Sequence, residues 1–199
     1  MENYNNKLLD IISNLDYVPK LLLHSCCGPC STTCISFLTN YFDITVLYYN
    51  PNIEPYDEYS KRKNEQIKFI NNFKSVHKLD FMDCGYDNET FLDCVKGLEY
   101  EAEGQARCHK CYHLRMQKAA QIAKDNKYDY FATTLTVSPY KNSQVINHIG
   151  EDIAKELDIK YLYSDFKKND GYKKSIEMSK EYDLYRQNYC GCRYSHKEE

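Results

Sequence analysis

Short apolar runs alternate with longer amphipathic stretches along this chain. The apolar runs are rich in leucine, β-branched and aromatic residues, a composition typical of buried strands. They predict strands at 20–27, 43–51, 76–84, 128–135 and 160–166. Between them, apolar residues recur at helical spacing, most clearly in 55–73. This spacing predicts helices at 1–19, 55–73, 88–103, 108–127, 142–159 and about 175–188, and one more that begins near Pro29.

Strands that alternate with helices of this length pair in parallel through right-handed crossovers. We therefore expect an α/β fold, a three-layer sandwich with a mainly parallel sheet in the middle. A chain of 199 residues is long enough for one sizeable core and short for two, so we expect a single domain over 1–199. Ligands of such sheets bind beyond the carboxyl ends of the strands. The residues predicted near those ends are Cys26, Cys27, Asn50, Cys84 and 133–136.

Ten cysteines are the main compositional signal. The first residues carry charges throughout, and no stretch approaches the roughly 18 apolar residues of a membrane span. We therefore expect a cytoplasmic protein with no membrane partner, in which cysteines more often bind metals or exchange electrons than form permanent bridges. The formal net charge of -3 argues against a broad surface that coats nucleic acid, although local basic patches can still bind phosphates.

Two cysteine groups are placed where a metal could use them. The sequence RCHKC at 107–111 is a CxxC at a predicted helix start, where amide donors and the helix dipole favour thiolate. Together with Cys26 and Cys27 it offers four thiolate ligands, which suit either zinc or an iron-sulfur cluster. The number of ligands leaves that choice open. The cysteines expected to pack as small hydrophobes are Cys30, Cys34, Cys84 and Cys94.

Two further patterns indicate dithiol chemistry. Cys190 and Cys192 flank a glycine, which allows a strained, easily reduced bridge and favours a redox-active pair. The CGPC string at 27–30 suggests a thioredoxin-like oxidoreductase that would depend on Cys30. Five successive β-α units and the lack of a facing proline loop disfavour that interpretation. A zinc-stabilised RNA-binding module without catalysis is the remaining alternative.

Several ordered motifs together resemble one family. They are LLLHSCCGPCST, YYNPNIEPYDEYSKR, RCHKCYHLRM, TTLTVSPYKN and YCGCRYS. Over about 20–195 the chain resembles the QueH type of epoxyqueuosine reductase, the cobalamin-independent enzyme of queuosine biosynthesis. The resemblance leaves 1–19 as an N-terminal helical extension and makes 189–199 a C-terminal redox tail. It implies a bacterial cytoplasmic enzyme with a Rossmann-like fold, similar to PP-loop and HUP-type proteins, that reduces epoxyqueuosine to queuosine at the wobble position of tRNA.

The resemblance also implies a role for individual residues. The ligands of a 4Fe-4S cluster would be Cys26, Cys27, Cys108 and Cys111, and the redox-active pair would be Cys190 with Cys192. The family leaves room for a mononuclear iron beside the cluster, for which Asp83 and Asp87 are candidate ligands or proton donors. Candidate substrate contacts are Asn50, Asn52, Glu58, Tyr59, Arg62, Ser138 and Lys141. His24 is expected to tune the cluster from just outside its ligands.

The expected partners follow from the same resemblance. The substrate would be tRNA that carries epoxyqueuosine, and an unidentified electron donor would supply the reducing equivalents. The segment after the first strand has HSCCGPCST in place of an SGGxDS-like phosphate loop, so we do not expect ATP to be used.

Overall fold

The computed structural model describes residues 2–195, which are built around a five-stranded sheet. The strands are β1 (Lys20–His24), β2 (Asp43–Tyr48), β3 (Leu79–Asp83), β4 (Tyr130–Thr133) and β5 (Lys160–Tyr161). They lie in the order β3-β2-β1-β4-β5, and all neighbouring strands are parallel. The predicted α/β fold with a mainly parallel sheet is therefore confirmed. The strand order reverses between β1 and β4, which is the point where such sheets bind ligands.

Helices cover both faces of this sheet. In the described residues they are α1 (Tyr4–Ser13), α2 (Gly28–Leu38), α3 (Tyr56–Asn72), α4 (Asn88–Cys94), α5 (Ala106–Asp125), α6 (Ser143–Leu157) and α7 (Gly171–Glu181). Short 3-10 helices lie at Thr134–Val137 and Arg193–Ser195. No helix within 2–195 combines the length and the apolar composition that crossing a membrane requires.

Alternate residues of β1 separate two hydrophobic cores. Leu21 and Leu23 pack with residues of α2 and α3 on one face, whereas Leu22 packs with residues of α5 and α6 on the other. Successive side chains of a strand point to opposite faces, so a strand buried on both sides has a continuous apolar run. This explains why 20–23 gives a clear strand signal and why the sequence predicts three layers.

The fifth predicted strand is much shorter in the structure than in the prediction. Leu162 still donates its N–H to the carbonyl of Phe131 at 2.9 Å. Beyond it, the side chain of Asn147 donates to the carbonyl of Ser164 at 2.7 Å and accepts from its N–H at 3.0 Å. A side-chain amide thus replaces the neighbouring strand, and the prediction of a strand over 160–166 was wrong beyond Tyr161.

Three predicted helices also end earlier than expected. The helix predicted over 1–19 spans only Tyr4–Ser13. The helix predicted over 88–103 ends at Cys94, and the chain then turns at Gly97, which has φ +83°. The last helix spans Gly171–Glu181 instead of 175–188. The N–H of Leu184 returns to the carbonyl of Ser179 at 2.8 Å, and the chain then crosses towards α3. The predicted redox tail at 189–199 lies within the described residues only as far as 195.

Candidate functional site

A cavity of about 920 Å³ lies beyond the carboxyl ends of the central strands. Its walls come from the segments after β1 and β4 and from a later segment that folds back over them. We call this later segment, residues 185–195, the CGC segment. The residues used below that line the cavity are Cys26, Cys30, Asn52, Arg62, Glu103, Arg115, Ser138, Tyr140, Lys141, Tyr172, Arg186, Gln187, Tyr189 and Cys190. The predicted single site at this edge of the sheet therefore corresponds to a real cavity.

The first wall is the CCGPC turn, residues 26–30, between β1 and α2. The Sγ atoms of Cys26, Cys27 and Cys30 lie within 4.8 Å of one another. Pro29 stands in the first turn of α2, as predicted, where its missing N–H costs no helical bond. A Cβ on Gly28 would lie 2.9 Å from the backbone carbonyl group of Glu65, so only glycine lets this turn pack against α3.

The three thiols of the CCGPC turn differ in acidity. Hydrogen bonds from Cys27 and Cys30 lower the pKa of Cys26 well below its ordinary value. Donating to Cys26 raises the pKa of Cys27 to about 12, and donating to Cys26 and Cys27 also raises the pKa of Cys30. Cys26 is thus the thiolate of the turn. Sequence reasoning assigned Cys30 to packing, although the spacing of Cys27 and Cys30 at a helix start was a CxxC signal for it.

The first turn of α5 carries the second cysteine group. Cys108 accepts a hydrogen bond from the N–H of Gly104 at 3.2 Å, and it packs against the same core as Cys26. Cys111 is buried with Phe91 and Cys192. Burial raises the pKa of Cys111 to about 11. Because Cys192 belongs to the CGC segment, α5 and that segment meet at these thiols.

Arg115 connects the three cysteine groups electrostatically. Its side chain is 1% exposed, and it donates to Asn50 Oδ1 at 3.2 Å and to the carbonyl of Cys111 at 3.4 Å. Burial works against the charge of Arg115, but the nearby sulfur groups of Cys111, Cys190 and Cys26 raise its pKa. One buried cation therefore lies within electrostatic range of all three groups. Sequence reasoning missed Arg115, because only the register of α5 shows that it lies one helical turn below Cys111.

The CGC segment is attached to α3 by side chains. Arg62 is 2% exposed; it pairs with Glu58 at 2.6 Å and donates to the carbonyl of Cys190 at 2.9 Å. The N–H of Glu54 donates to the carbonyl of Gly191 at 2.8 Å, and its carboxylate pairs with Arg193 at 2.7 Å. These contacts hold Cys190 at the edge of the cavity.

The two thiols of the CGC segment interact as a pair. A hydrogen bond from Cys192 lowers the pKa of Cys190 well below its ordinary value, and Lys141 and Arg115 act in the same direction. The same hydrogen bond raises the pKa of Cys192. Burial works against the charge of Lys141, but the nearby thiolate of Cys190 raises the pKa of Lys141. None of the ten cysteines forms a disulfide bond in this structure.

Four of the seven predicted substrate residues line the cavity. They are Asn52, Arg62, Ser138 and Lys141. Asn50 is fully buried, and its amide donates to the carbonyl of Ser25 at 2.8 Å and accepts from Arg115. Glu58 holds Arg62, and the hydroxyl of Tyr59 donates to the carbonyl of Gly85 at 2.9 Å. Asn50, Glu58 and Tyr59 therefore do not line the cavity. They bond to residues next to it.

Asp83 and Asp87 both have local partners. Asp83 accepts from Lys63 at 2.8 Å and from the N–H of Gly85 at 2.9 Å. Burial opposes these bonds only in part, so the pKa of Asp83 is lowered and its carboxylate is a poor proton donor. Asp87 caps α4 by accepting from the N–H of Thr90 at 3.4 Å.

His24 is a buried core residue with both ring nitrogens bonded. One nitrogen is 2.9 Å from Thr133 Oγ1, and the other is 3.1 Å from the carbonyl of Tyr49. Since a carbonyl only accepts, Nε2 carries the proton and Nδ1 accepts from the threonine. Burial lowers the pKa of His24 to about 3, so the ring is neutral. It ties β1 to β4 directly below the CCGPC turn.

Several buried polar atoms of cavity residues have no hydrogen-bond partner among the described residues. They are Asn52 Oδ1, Arg62 Nη2, Arg115 Nη2 and Gln187 Oε1. Burying a polar atom without a hydrogen bond costs free energy. A polar ligand that bonds to these atoms would therefore gain binding energy there. Gln187 carried no sequence signal, because it belongs to a stretch that was predicted to be helical.

The chain is similar to a group of proteins that share one description. A family model described as epoxyqueuosine reductase QueH matches residues 21–198. Proteins named epoxyqueuosine reductase QueH from Streptococcus pyogenes and Staphylococcus epidermidis are 48% and 44% identical to it. These alignments cover 90% and 96% of this chain, and 71% and 83% of those proteins. A relative of the same name from Thermotoga maritima is 35% identical over 88% of this chain and 89% of its own length.

A solved structure shares the fold. It is the U34-tRNA thiolase NcsA from Methanococcus maripaludis with its [4Fe-4S] cluster, which superposes with a TM-score of 0.55. The match covers 98% of this chain and 67% of that one at 14% identity, so it shows the likeness of the fold alone.

Proposed function

The chain belongs to the epoxyqueuosine reductase QueH family, and from that membership we propose that it is an iron-sulfur oxidoreductase that reduces epoxyqueuosine to queuosine at the wobble position of tRNA. The observation that carries this proposal is the meeting of three cysteine groups around Arg115 at one cavity. We further propose that the enzyme works in the cytoplasm, takes electrons from a separate donor and uses no ATP.

The cluster ligands in this proposal are Cys26, Cys27, Cys108 and Cys111. The donor set is chemically suited to an iron-sulfur cluster, because it consists of four thiols from the turn before α2 and the start of α5, near the buried Arg115 and Lys141. The thiols that lie within 4.8 Å of one another in the described residues are those of Cys26, Cys27 and Cys30, so Cys108 and Cys111 stay proposed ligands. Positive charges so placed stabilise thiolates that bind metal. Such a cluster supplies electrons one at a time. Cys30 is the third thiol of the CCGPC turn, in addition to the four proposed ligands, and the candidate donor to an adjacent mononuclear iron.

Cys190 and Cys192 can balance the overall reaction. Converting an epoxide to an alkene breaks both C–O bonds, consumes two electrons and two protons, and releases the oxygen as water. Oxidation of this dithiol to a disulfide releases two electrons and two protons, so the CGC segment matches the demand of one turnover. The separate electron donor then returns the disulfide to the dithiol. The contact between the two thiols supports this role.

Cavity residues would bind and orient the modified base. Asn52 Oδ1 and the unpartnered nitrogens of Arg62 and Arg115 suit hydroxyl groups and the oxygen of the epoxide. The ammonium of Lys141 lies in the same wall next to Cys190 and can hold a proton at Nζ close to the departing oxygen. The CGC segment closes over this position and reduces access of water.

The thioredoxin-like alternative is not favoured. A nucleophilic dithiol needs one thiol of low pKa, but the pKa values of Cys27 and Cys30 are both raised. The thiolate of the turn is Cys26, which lies outside the CGPC string. The zinc-stabilised RNA-binding alternative leaves the coupled thiols of the CGC segment without a role.

The decisive experiment incubates anaerobically purified, reduced protein with tRNA that contains epoxyqueuosine. We expect queuosine among the digested nucleosides by mass spectrometry, and unchanged epoxyqueuosine would overturn the proposal. Cys108→Ala should remove bound iron and the visible absorbance of the cluster. Cys94→Ala is the matched control, because Cys94 lies on the neighbouring helix and its thiol contacts the carbonyl of Lys110 at 3.8 Å. Equal loss of iron in both variants would contradict the assigned ligands.

A further inference from the structure

Basic side chains outnumber acidic groups at the cavity, although the whole chain is acidic. The charged groups that line it within the described part of the chain are Arg62, Arg115, Lys141 and Arg186 on the positive side, and Glu103 with the thiolates of Cys26 and Cys190 on the negative side. The chain as a whole has a formal net charge of -3. Positive charge is thus concentrated at one edge of the sheet, which selects for an anionic ligand.

Two loops build one side of the cavity mouth and are joined to each other. The first follows the Thr134–Val137 helix, and the second runs from β5 into α7. Lys167 of the second loop donates its ammonium to the carbonyl of Lys141 in the first at 2.9 Å. Gly171 packs directly against the carbonyl of Phe166, where any side chain would collide, so only glycine fits at this position of the second loop. We call residues 138–142 and 167–174 the basic rim.

The basic rim presents rings and cations in alternation. Tyr140 is 78% exposed at the mouth of the cavity. Tyr172 lines the cavity, and the guanidinium of Arg186 lies 5.2 Å from its ring centre. The exposed lysines of the rim are Lys168, Lys173 and Lys174. Single-stranded RNA is held by such surfaces, because unstacked bases pack on aromatic rings while cations bind the phosphates.

We propose that the basic rim is the surface that docks the anticodon arm of tRNA, with Tyr140 stacked on a base next to the modified one and with Lys173 and Lys174 on backbone phosphates. This inference rests on the proposed function, which requires one nucleoside to enter the cavity while its neighbours stay outside. The volume of about 920 Å³ has room for a nucleoside, and a protruding ring at the mouth suits the adjoining base.

The charge contribution is tested by a pair of double variants with equal net charge. Lys173→Glu with Lys174→Glu alters the rim, and Lys124→Glu with Lys127→Glu alters exposed lysines at the opposite edge of the sheet, near the start of β4. We expect the rim variant to bind epoxyqueuosine-containing tRNA about tenfold more weakly and to show a shallower salt dependence. The control variant should stay within about twofold of the parent protein.

The stacking contribution is tested by a pair of tyrosine variants. Tyr140→Ala should weaken tRNA binding about tenfold, as expected for one lost base stack. Tyr17→Ala is the control, because Tyr17 is 54% exposed and bonds to Asp129 at the far edge of the sheet. Equal losses in both members of either pair, or full binding by both rim variants, would overturn the proposal. Stronger binding to anionic phospholipid vesicles than to tRNA would also overturn it.

These binding measurements are separate from the measurement of the reaction. If the parent protein reduces epoxyqueuosine but the rim variants bind tRNA normally, the docking surface is wrong and the proposed function stands. If the parent protein binds tRNA through the rim but never yields queuosine, the proposed function fails while the surface is retained.

Discussion

The CCGPC turn and the CGC segment each press a glycine against α3, but they are held there by different means. Gly28 meets the backbone of Glu65 and Gln66, at the end of the central strand. Gly191 meets only the flexible side chain of Arg62, and side chains supply most of the other contacts of its segment. In both places one thiol has a lowered pKa and its neighbour a raised one. Similar thiol pairs are thus held once by main-chain packing and once mainly by side chains, a difference that the proposed function assigns to a fixed ligand site and a redox-active pair.

The largest effect should come from filling the space at Gly28. Gly28→Ala puts a methyl group 2.9 Å from backbone atoms that cannot move aside, so we expect a loss of about 3 kcal/mol in the free energy of unfolding. Urea denaturation under reducing conditions measures it. Gly85→Ala is the control, because Gly85 has φ +78° but open space around it, and it should lose only about 1 kcal/mol. Equal losses of unfolding free energy in the two variants would show that main-chain packing at Gly28 does not hold the CCGPC turn.

Arg62→Met should release the CGC segment. The carbonyl of Cys190 loses its donor and Glu58 loses its buried partner, so we expect a cost of about 2 kcal/mol. Limited proteolysis should then cut within 185–195 much faster than in the parent protein. Arg62→Lys keeps the positive charge but loses the forked guanidinium. Its rate of cleavage should lie between those of the parent protein and Arg62→Met. An unchanged cleavage rate would show that other contacts hold the segment.

The thiol pairs should differ in reactivity within each pair. In reduced, metal-free protein at neutral pH, iodoacetamide should modify Cys190 at least about tenfold faster than Cys192, because one pKa unit changes the thiolate fraction tenfold. The rate at Cys190 should fall as the pH drops through its lowered pKa. The rate at Cys192 should rise only as the pH climbs towards its raised pKa. Peptide mass spectrometry measures the extent of alkylation at both cysteines. Faster alkylation of Cys192 than of Cys190 would contradict the assignment of Cys190 as the thiolate.

Gly191→Ala should cost less than Gly28→Ala. Gly191 has φ +106°, and the added methyl group meets the guanidinium of Arg62, which can shift, so we expect about 1 kcal/mol. In an Arg62→Met background the steric part of this cost should disappear and leave the backbone strain. A thermal-denaturation double-mutant cycle measures the difference. Strict additivity would mean that Gly191 and Arg62 do not act on each other.

The smallest effect is expected at Glu54. Glu54→Gln removes the ion pair with Arg193, whose side chain is half exposed, and should cost about 0.5 kcal/mol. The backbone bond from Glu54 to Gly191 remains. If Glu54→Gln lowered the free energy of unfolding as much as Arg62→Met does, in the same denaturation assay, the ion pair of Glu54 with Arg193 would be the main attachment of the CGC segment.

The order and type of most elements could be predicted from the sequence, because the central strand β1 is an apolar run buried on both faces and the longer helices have clear apolar spacing. The failures have local physical causes. Asn147 satisfies the backbone of Ser164 in place of a strand, which no periodicity reveals. The residues after Ser179 cross to α3 because Arg62 and Glu65 bind them there, contacts between positions far apart in the chain.

The candidate site was predictable in its cysteines and much less so in its polar groups. The adjacent cysteines, the CxxC motif and the CGC motif can be recognised in the sequence. The predicted strand ends place the adjacent cysteines beyond the carboxyl ends of the sheet. Arg115 was not visible, because its role depends on three thiols from separate segments. Asp83 and Asp87 stay predictions, because a carboxylate after a strand serves a turn or a helix cap as readily as chemistry, and both residues have such contacts.

The shared use of α3 has a consequence for how related sequences can vary. At position 28 only glycine fits, because the backbone of Glu65 and Gln66 passes close by. At position 191 a side chain would meet the guanidinium of Arg62. A substitution on this face of α3 therefore changes the room available to a glycine far away in the chain. Across relatives, position 28 should stay glycine whatever residues stand at 65 and 66, since the obstacle there is main chain. Position 191 should keep its glycine for its φ of +106° even where residue 62 changes.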